Sequence, residues 1–585
     1  MNRKNPPLHL LGLFSLTTLT AGSVQAKSPS SISLAPLGSV AAGSFLTSAA
    51  EIVAYDAGSK RLLVVNAQAA QIDVVDIADP AAPVLRDDLS IDVTLYGAVA
   101  NSVAVRDGLI AVAVESAIKT DPGKVVFFGP DLQFISAVEV GAQPDMIIFT
   151  PDGRNVLTAN EGEPSPDYSQ DPEGSVSVIS ISRGATRATV RTAGFTAFNG
   201  LSRAALFDGS GSGPKPAVRV FGPDNTVAQN IEPEYITISQ DSKTAWVTLQ
   251  ENNALAVIDI STAKVTSVNG LGLKDHNLAL NGFGSSNALD ASDRDGTPVA
   301  NAGGINIKNW PVKGLFLPDA IASFKAGRET YLVLANEGDS RDWTGYSEET
   351  RVGSMALDPA VFPPALAVEL KKTSNLGRLK ATKAQGDTAG NNIYKEIYTF
   401  GGRSFSIRSA TGALLWDSGD QFEKITAALH QPVAPVLPTD PPQFLFNSNH
   451  EANKFDDRSD DKGPEPEGVA VGKAYGRTFA FIGLERVGGV MVYDVTNPAS
   501  PGFVQYVNNR DFSQPVDSEA AGDLGPEGLL FISEEDSPTH QPLLVIGNEV
   551  SGTTTIYGIS KLKSKEDDED DDSEGEPEGT ERVKD

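Results

Sequence analysis

The sequence predicts an all-β fold, a seven-bladed β-propeller of the YVTN or WD40-like kind with long insertions between blades. Short apolar strands with an alternating pattern recur along the 585 residues. In each unit one strand ends at an acidic or amide residue, and a second such residue precedes it at a near-constant offset. Because one unit of this size cannot bury its own apolar face, we expect the seven units to close into a ring.

Residues 144–181 illustrate the local structure that we predict for every unit. Pro144 and Asp145 open the first strand, a Pro-Asp-Gly-Arg turn follows, and the second strand ends at Asn160 and Glu161. Because the Asp-Gly turn joins antiparallel strands directly, the first strand begins and the second ends at the same edge of the sheet. Asp145 and Glu161 should therefore lie close together, and so should the matching pair of each unit.

This repeat defines two series of polar residues, which we call the first-strand series and the second-strand series. The first-strand series opens the first strands and consists of Glu51, Asn101, Asp145, Glu234, Asp319, Glu467 and Glu527. The second-strand series closes the second strands and consists of Asn66, Glu115, Glu161, Glu251, Glu337, Glu485 and Glu549. Both series are predicted to lie at one mouth of the ring.

Carboxylates crowded at one mouth raise each other's pKa values unless a cation neutralises them. Oxygen ligands without cysteine and with few histidines suit Ca²⁺, the cofactor that we predict, or Mg²⁺ rather than zinc or copper. The alternative is that these side chains accept backbone N–H bonds and cap turns at blade corners. The predicted metal ligands in the two series are Asp145, Glu161, Glu234, Glu251, Asp319, Glu337, Glu467, Glu485, Glu527 and Glu549.

A second cation site is predicted in the insertion before the fifth unit, at Asp290, Asp293 and Asp295. Closely spaced aspartates followed by Gly296 allow one tight loop to wrap a hard cation. The spacing departs from that of an EF-hand, and no glutamate closes the loop. A generic calcium loop and an acidic surface turn are therefore both compatible with this segment.

Residues 446–468 gather amides, carboxylates, basic residues and one histidine just before the sixth unit. His450 is a candidate general acid/base or metal ligand. Arg341 and Arg458 are candidates to clamp a phosphate or carboxylate, and pairing with neighbouring acids is the alternative for each. Since no Gly-x-Ser-x-Gly, Walker or dinucleotide motif occurs, neither a nucleotide nor a redox cofactor is predicted.

The composition limits the partners. The formal net charge of −29 excludes nucleic acid, which needs clustered basic residues, and favours divalent cations, cationic surfaces or mineral faces. The absence of cysteine excludes disulfides and thiolate metal sites.

Residues 1–26 predict a secretory signal peptide, with Arg3 and Lys4 before an apolar stretch and cleavage after Ala26. We therefore expect a secreted or periplasmic protein with no transmembrane segment in the mature chain. Long insertions are predicted near residues 182–230, 261–315 and 344–462, the last holding extra strands and a short helix near 422–429. Residues 563–585 predict a disordered acidic tail.

Several long motifs resemble those of the choice-of-anchor I family: ANEGEPSPDY, LDASDRDG, LANEGDSRDW, FNSNHEANKFDDRSDDKGPEPEGV and GNEVSGT. That family includes bacterial proteins labelled alkaline phosphatase and mesenchyme-specific cell-surface glycoproteins linked to animal biomineralisation. The resemblance covers residues 33–562 and implies an exported β-propeller with variable C-terminal anchoring. Because acidic residues rather than an apolar tail follow Leu562, we expect a soluble or loosely attached form.

Two functions fit these observations. The first is an exported propeller that binds calcium at an acidic channel mouth and acts on extracellular surfaces, minerals or ligands. The second is a calcium-dependent phosphomonoesterase that acts on phosphorylated small molecules, with clustered cations holding the phosphate and activating a water.

Overall fold

The structure, a computed structural model, describes residues 32–43, 45–200, 218–223, 225–296, 302–387, 389–430 and 444–562. Strands dominate these ranges, so the all-β prediction is confirmed. The predicted signal peptide at residues 1–26 and the predicted acidic tail at residues 563–585 lie outside the described residues. In the described part of the chain, no helix is long and apolar enough to cross a membrane.

Most strands form antiparallel sheets that follow one another along the chain, and we number these sheets 1 to 7. Sheet 1 contains β2 (Val53–Asp56), β3 (Arg61–Asn66), β4 (Gln71–Asp76), β5 (Val84–Leu85) and β6 (Ile91–Asp92). Sheet 2 contains β7 (Val99–Arg106), β8 (Leu109–Glu115), β9 (Pro122–Phe128) and β10 (Phe134–Ala142). Sheet 3 contains β11 (Pro144–Phe149), β12 (Asn155–Asn160), β13 (Ser175–Ser180) and β14 (Thr189–Gly194).

The later sheets repeat this pattern. Sheet 4 contains β15 (Pro233–Ile238), β16 (Thr244–Leu249), β17 (Ala254–Asp259) and β18 (Lys264–Gly270). Sheet 5 contains β21 (Ile321–Ala326), β22 (Glu329–Asn336), β28 (Ser404–Ser409) and β29 (Leu414–Asp417). Sheet 6 contains β30 (Pro466–Ala474), β31 (Arg477–Leu484), β32 (Val490–Asp494) and β33 (Gly502–Val507). Sheet 7 contains β34 (Pro526–Ile532), β35 (Leu543–Asn548), β36 (Thr553–Lys561) and the N-terminal β1 (Ile32–Ala41).

The two ends of the described chain meet in sheet 7, because β1 pairs antiparallel with β36. The first strand of each sheet contacts the first strand of the next, and β34 of sheet 7 contacts β2 of sheet 1. Separate apolar clusters fill the spaces between consecutive sheets and between sheets 7 and 1. Both faces of each sheet are therefore buried, which is the packing of a β-propeller.

The predicted insertions are drawn too wide, because each contains strands that belong to the numbered sheets. β14 lies inside residues 182–230, β18 inside 261–315, and β28 and β29 inside 344–462. Most residues of β14 are exposed or half-buried. Its sequence therefore lacks the apolar run by which an inner strand can be predicted. The strands predicted as extra in residues 344–462 thus complete sheet 5.

The remaining insertion residues form small elements of their own, with a core that includes Trp310, Val352, Phe362 and Leu376. The predicted helix near residues 422–429 is confirmed and spans Gln421–Leu429. The small strands are β19 (Leu273–Asp275), β20 (Lys313–Leu315), β23 (Glu349–Arg351), β24 (Ala356–Leu357), β25 (Lys380–Thr382), β26 (Ile393–Tyr394) and β27 (Tyr398–Thr399). The α-helices are α1 (Val227–Asn230), α2 (Pro364–Leu370) and α3 (Gln421–Leu429), and 3₁₀ turns occupy Asp87–Leu89, Ala185–Arg187, Thr196–Phe198, Val352–Ser354 and Glu519–Ala521.

Candidate metal site

The first-strand series lies where the pairing between the first and second strands is irregular. Pro144 pairs with Asn160, but the next regular pair is Ile147 with Thr158, so Asp145 lies in a bulge. Such bulges redirect a side chain and strengthen the local twist. The same irregularity surrounds Asn101, Glu234, Glu467 and Glu527.

The predicted closeness of the two series is confirmed by the strand register. Pro233, next to Glu234, pairs with Leu249 near Glu251, and Pro526, next to Glu527, pairs with Asn548 beside Glu549. In sheet 5, the Ala335 N–H donates to the Ala320 carbonyl at 3.2 Å, which brings the strand ends at Asp319 and Glu337 together. Each first strand therefore begins at the edge where its second strand ends.

The first-strand carboxylates of different sheets converge on one another. Burial, then Glu549 and Asp145, raise the pKa of Glu51 to about 8. Burial raises the pKa of Glu527 well above its ordinary value, and Glu51, Glu549, Asp319 and Asp145 add to the shift. The four first-strand carboxylates among these groups belong to sheets 1, 3, 5 and 7. Because they raise one another's pKa values, they must lie close together, around an axis that the sheets share.

The rest of the first-strand series shows the same effect. Burial, followed by Glu163, raises the pKa of Asp145 to about 7. Burial is also the largest cause of the raised pKa values of Glu234, Asp319 and Glu467, and neighbouring carboxylates of both series add to it. A cavity of about 40 Å³ lies among these groups, with Asn101, Asp145, Asp319 and Glu527 in its lining. A space of that size holds a few waters or a small cation, since one water needs about 10–15 Å³.

The six first-strand carboxylates have no ion-pair or hydrogen-bond partner in the part of the chain that the structure describes. Glu467 Oε2 and Glu527 Oε2 are buried atoms without a hydrogen-bond donor. Glu51, Glu527 and Glu549 each offer a carboxylate oxygen within 4.8 Å of the other two. The six side chains are half-buried, and crowded carboxylates that lack a partner are the arrangement that a hard cation stabilises.

The second-strand series differs because basic residues of the chain already neutralise much of it. Lys462 Nζ forms an ion pair with Glu337 Oε1, and Arg486 Nε lies 2.7 Å from Glu485 Oε1. Lys119 pairs with Glu163, which lies beside Glu115 and Glu161. The sequence interpretation missed Lys119, Lys462 and Arg486, although each follows or precedes a series member by few residues. A cation that binds to the second-strand series must therefore compete with the positive charges of Lys119, Lys462 and Arg486.

Glu465 is a further acidic residue at the candidate site that the sequence interpretation missed. Its carboxylate lies within 4.8 Å of those of Glu337 and Glu485. It receives hydrogen bonds from Arg458 Nε at 2.6 Å and Arg486 Nε at 3.2 Å. Although burial opposes ionisation, Arg458, Lys462 and Arg486 lower the pKa of Glu465 to about 2. This second cluster is therefore an ion-pair network.

His450 lies next to that network, with Nε2 2.7 Å from Arg486 Nη1. Because an arginine can only donate, Nε2 is the acceptor and Nδ1 carries the proton. Burial, then Arg486, lower the pKa of His450 to about 3. A pKa of about 3 does not suit a general acid or base near neutral pH. It does keep the imidazole neutral, as a metal ligand must be. His450, Glu485 and Glu549 each offer a ligand atom within 4.8 Å of the other two, so the metal-ligand role of His450 stays a prediction.

The two candidate arginine clamps are buried and already paired. Arg341 Nη2 lies 2.9 Å from Glu232 Oε2 and donates to the Asn230 carbonyl at 2.6 Å. Arg458 binds Glu465 and also Asp461, whose Oδ2 lies 3.2 Å from Arg458 Nη2. Pairing with neighbouring acids, the alternative stated for both residues, thus describes their positions.

The predicted aspartate loop brings Asp295 near Asp290, whose pKa it helps to raise, whereas Asp293 is engaged by arginines. Asp293 forms ion pairs with Arg294 and Arg378. Asp290 is buried, and its Oδ2 accepts a hydrogen bond from the Asn306 N–H at 2.6 Å. Burial, then Asp290, raise the pKa of Asp456 to about 10, and Asp295 adds to the shift, so Asp456 joins Asp290 and Asp295 while Asp293 does not. Sequence spacing missed Asp456 because it comes from a different insertion.

The contacting first strands, the apolar clusters between neighbouring sheets and the carboxylate-lined cavity define the class of protein as a β-propeller with an acidic centre. The chain belongs to the choice-of-anchor I domain family, whose family model matches residues 51–498. The family predicted from the motifs is therefore confirmed over residues 51–498, and the likeness to bacterial proteins labelled alkaline phosphatase stays a prediction.

Two relatives share 28% identity with this chain. Gigasin-3a of Magallana gigas aligns over 216 residues, 35% of this chain and 68% of that protein. The mesenchyme-specific cell surface glycoprotein of Strongylocentrotus purpuratus aligns over 298 residues, 46% of this chain and 36% of that protein. The matched part thus spans about a third of the length of the second relative.

Solved structures also align over most of the chain. Hydrazine synthase of Kuenenia stuttgartiensis aligns with a TM-score of 0.43 and 12% identity, covering 88% of this chain and 96% of that one. Streptogramin B lyase aligns with a TM-score of 0.40 and 10% identity, covering 91% of this chain and 98% of that one. The β-propeller domain of Myceliophteria thermophila Cps50 (Swd1) has a TM-score of 0.39 and 8% identity, with 89% and 100% covered. The fold assignment rests on this chain's own sheets, since these TM-scores are low.

Proposed function

We propose that this protein is an extracellular, surface-acting β-propeller of seven blades that binds a divalent cation, calcium by preference, on the first-strand carboxylates. The observation that carries the proposal is the set of six carboxylates around one axis, none of which has a partner among the described residues. Six carboxylates and the Asn101 amide supply only oxygen ligands, which Ca²⁺ accepts in numbers of about six to eight.

The blade count and the location are parts of the same proposal. Seven sheets with contacting first strands and apolar clusters between neighbours support a ring of seven blades. A relative named as a cell surface glycoprotein supports an extracellular location. The signal peptide predicted in residues 1–26 agrees with export.

Within the ring, we assign the cation to Glu51 and Glu527 of the first-strand series together with Glu549 of the second-strand series, because their oxygens lie within 4.8 Å of one another. Binding there would remove the repulsion that raises the pKa values of Glu51 and Glu527, and so would stabilise the fold. The level of Glu337, Glu465 and Glu485 is a weaker candidate because Lys462 and Arg486 occupy it. The phosphomonoesterase alternative has less support, because both candidate arginine clamps are paired with acids of the chain.

Isothermal titration calorimetry on chelator-treated protein, together with elemental analysis of the purified protein, tests the proposal. We expect saturable calcium binding with loss of that heat in the double variant Glu51→Gln, Glu527→Gln. The matched control is Glu139→Gln, Glu329→Gln, because both of those carboxylates are exposed on outer strand surfaces or turns. No binding heat with calcium or magnesium, and no bound metal in the purified protein, would reject the proposal.

A further inference from the structure

A buried arginine without an acidic partner lies between sheets 4 and 5, outside the first-strand and second-strand series. Arg408 on β28 is 1% exposed. Its Nη1 donates to the carbonyl oxygens of Leu271 and Gly412, both at 3.0 Å, and its Nε donates to Ser406 Oγ at 3.3 Å. Nη2 is buried and has no hydrogen-bond acceptor in the described ranges.

The nearest acid does not neutralise this charge. Asp417 is already paired, since its Oδ1 lies 3.2 Å from Lys274 Nζ and its Oδ2 accepts a hydrogen bond from Ser404 Oγ at 2.8 Å. Burial lowers the pKa of Arg408 to about 10, so the guanidinium is still charged at neutral pH. The ring of Phe316, 4.6 Å from the guanidinium carbon, is its remaining stabilising contact. A buried charge without a counterion is costly, and an anion that reaches it would relieve that cost.

Arg408 also lines a cavity of about 530 Å³, which is open to solvent at the outer edge of the two sheets. Val257, Leu271, Leu414, Ala410 and Ala413 give it largely apolar walls. This volume lies in the usual range for small-molecule sites, where apolar walls surround a few polar groups that fix orientation. The Trp246 indole donates to the Ala410 carbonyl at 2.8 Å and holds one wall in place.

We propose that this cavity binds a small organic carboxylate, with the carboxylate on Arg408 and a short hydrocarbon body against the apolar walls. A guanidinium edge matches the geometry of a carboxylate. The apolar walls favour an organic acid over an inorganic oxyanion. This site is independent of the cation site at the axis, because it shares no residue with it.

Butanoate is the probe, with butanamide as its uncharged counterpart and inorganic phosphate as the anion without a hydrocarbon body. Binding is measured by ligand-observed NMR on the full chain. We expect saturable butanoate binding, with butanamide weaker by at least about tenfold, as the loss of a hydrogen bond to a charged group predicts.

Variants separate a binding role of Arg408 from a structural one. Arg408→Met should abolish butanoate binding, and Arg408→Lys should retain part of it. If Arg408→Met does not fold, Ala413→Trp decides, because Ala413 is exposed at the cavity wall and leaves Arg408 in place. Leu415→Trp is the matched control, since Leu415 follows Ala413 closely in the chain, is 37% exposed and is outside the cavity lining.

Absence of saturable butanoate binding to the wild-type protein would overturn the proposal. So would equal affinity for butanoate and butanamide, tighter binding of phosphate than of butanoate, or unchanged butanoate binding in Ala413→Trp. Loss of binding in Ala413→Trp with retention in Leu415→Trp would support it.

Discussion

Gly468 lies directly against Glu527, so that a Cβ atom on Gly468 would overlap the Glu527 carbonyl oxygen and approach Leu529 Cδ1 to 2.8 Å. Each of these positions is in a first strand, Gly468 in sheet 6 and Glu527 in sheet 7. Gly528 has the same relationship to Glu51 of the next sheet. The first strands therefore pack backbone to backbone at the axis, and this close approach brings their carboxylates together.

The first prediction concerns that contact. Gly468→Ala should lower the free energy of unfolding by about 1–3 kcal/mol, because the neighbouring backbone cannot move aside without disturbing the axis. Gly502→Ala, in the same sheet, meets nothing within 4 Å and should change stability by less than about 1 kcal/mol. Chemical denaturation of both variants measures the difference, and equal effects would contradict the packing described here.

The second prediction concerns pH. The pKa values of Glu51 and Asp145 are raised to about 8 and about 7, so the folded protein without metal retains protons that the unfolded chain releases above its ordinary values. The stability that these groups contribute is present at acidic pH and is lost as the pH rises through the raised values. In chelator, the melting midpoint should therefore fall between pH 5 and pH 8.

Calcium should reverse most of that fall, since a bound cation favours the ionised carboxylates. The measurement is the melting midpoint at several pH values, with chelator and with excess calcium. A calcium-induced shift that is no larger at pH 8 than at pH 5 would argue against a site on these groups.

The third prediction concerns the repulsion itself. In chelator and above about pH 8, where Glu51 ionises in the wild type, the variant Glu51→Gln, Glu527→Gln should melt at a higher temperature than the wild type, because it removes mutually repelling carboxylates. The same variant should lose most of the calcium-induced shift. Glu139→Gln, Glu329→Gln removes the same formal charge from exposed positions and should behave like the wild type. A double variant that is less stable than the wild type in chelator would indicate that the pair supports the fold in another way.

The fourth prediction concerns the network beside the site. Lys462→Gln should lower the free energy of unfolding by about 3–5 kcal/mol, because Glu337 would lose its buried partner. Lys454→Gln breaks a pair with Asp457 in which the lysine is 57% exposed, and it should cost less than about 1 kcal/mol. Denaturant titration at neutral pH compares the two. Similar costs would show that Lys462 does not act as the internal counterion of Glu337.

The repeat, the order of strands and turns in each unit, and the positions of the two polar series can be predicted from the amino-acid sequence alone. Asp145 and Glu161 illustrate why: a short turn fixes which ends of two neighbouring strands share an edge, and that relationship is local in the chain. The long motifs also determined the family, which the family model over residues 51–498 confirms.

Which carboxylates have a basic partner depends on contacts that form only in the folded chain. Lys462 lies 125 residues from its partner Glu337, and Asp456 joins Asp290 from a separate insertion. The sequence pattern places the strands of residues 404–417 in an insertion, because the chain leaves sheet 5 and returns to it only after a long excursion. Charge compensation and long-range pairing depend on distances in space that sequence spacing does not encode, whereas turns and alternation depend on neighbours along the chain.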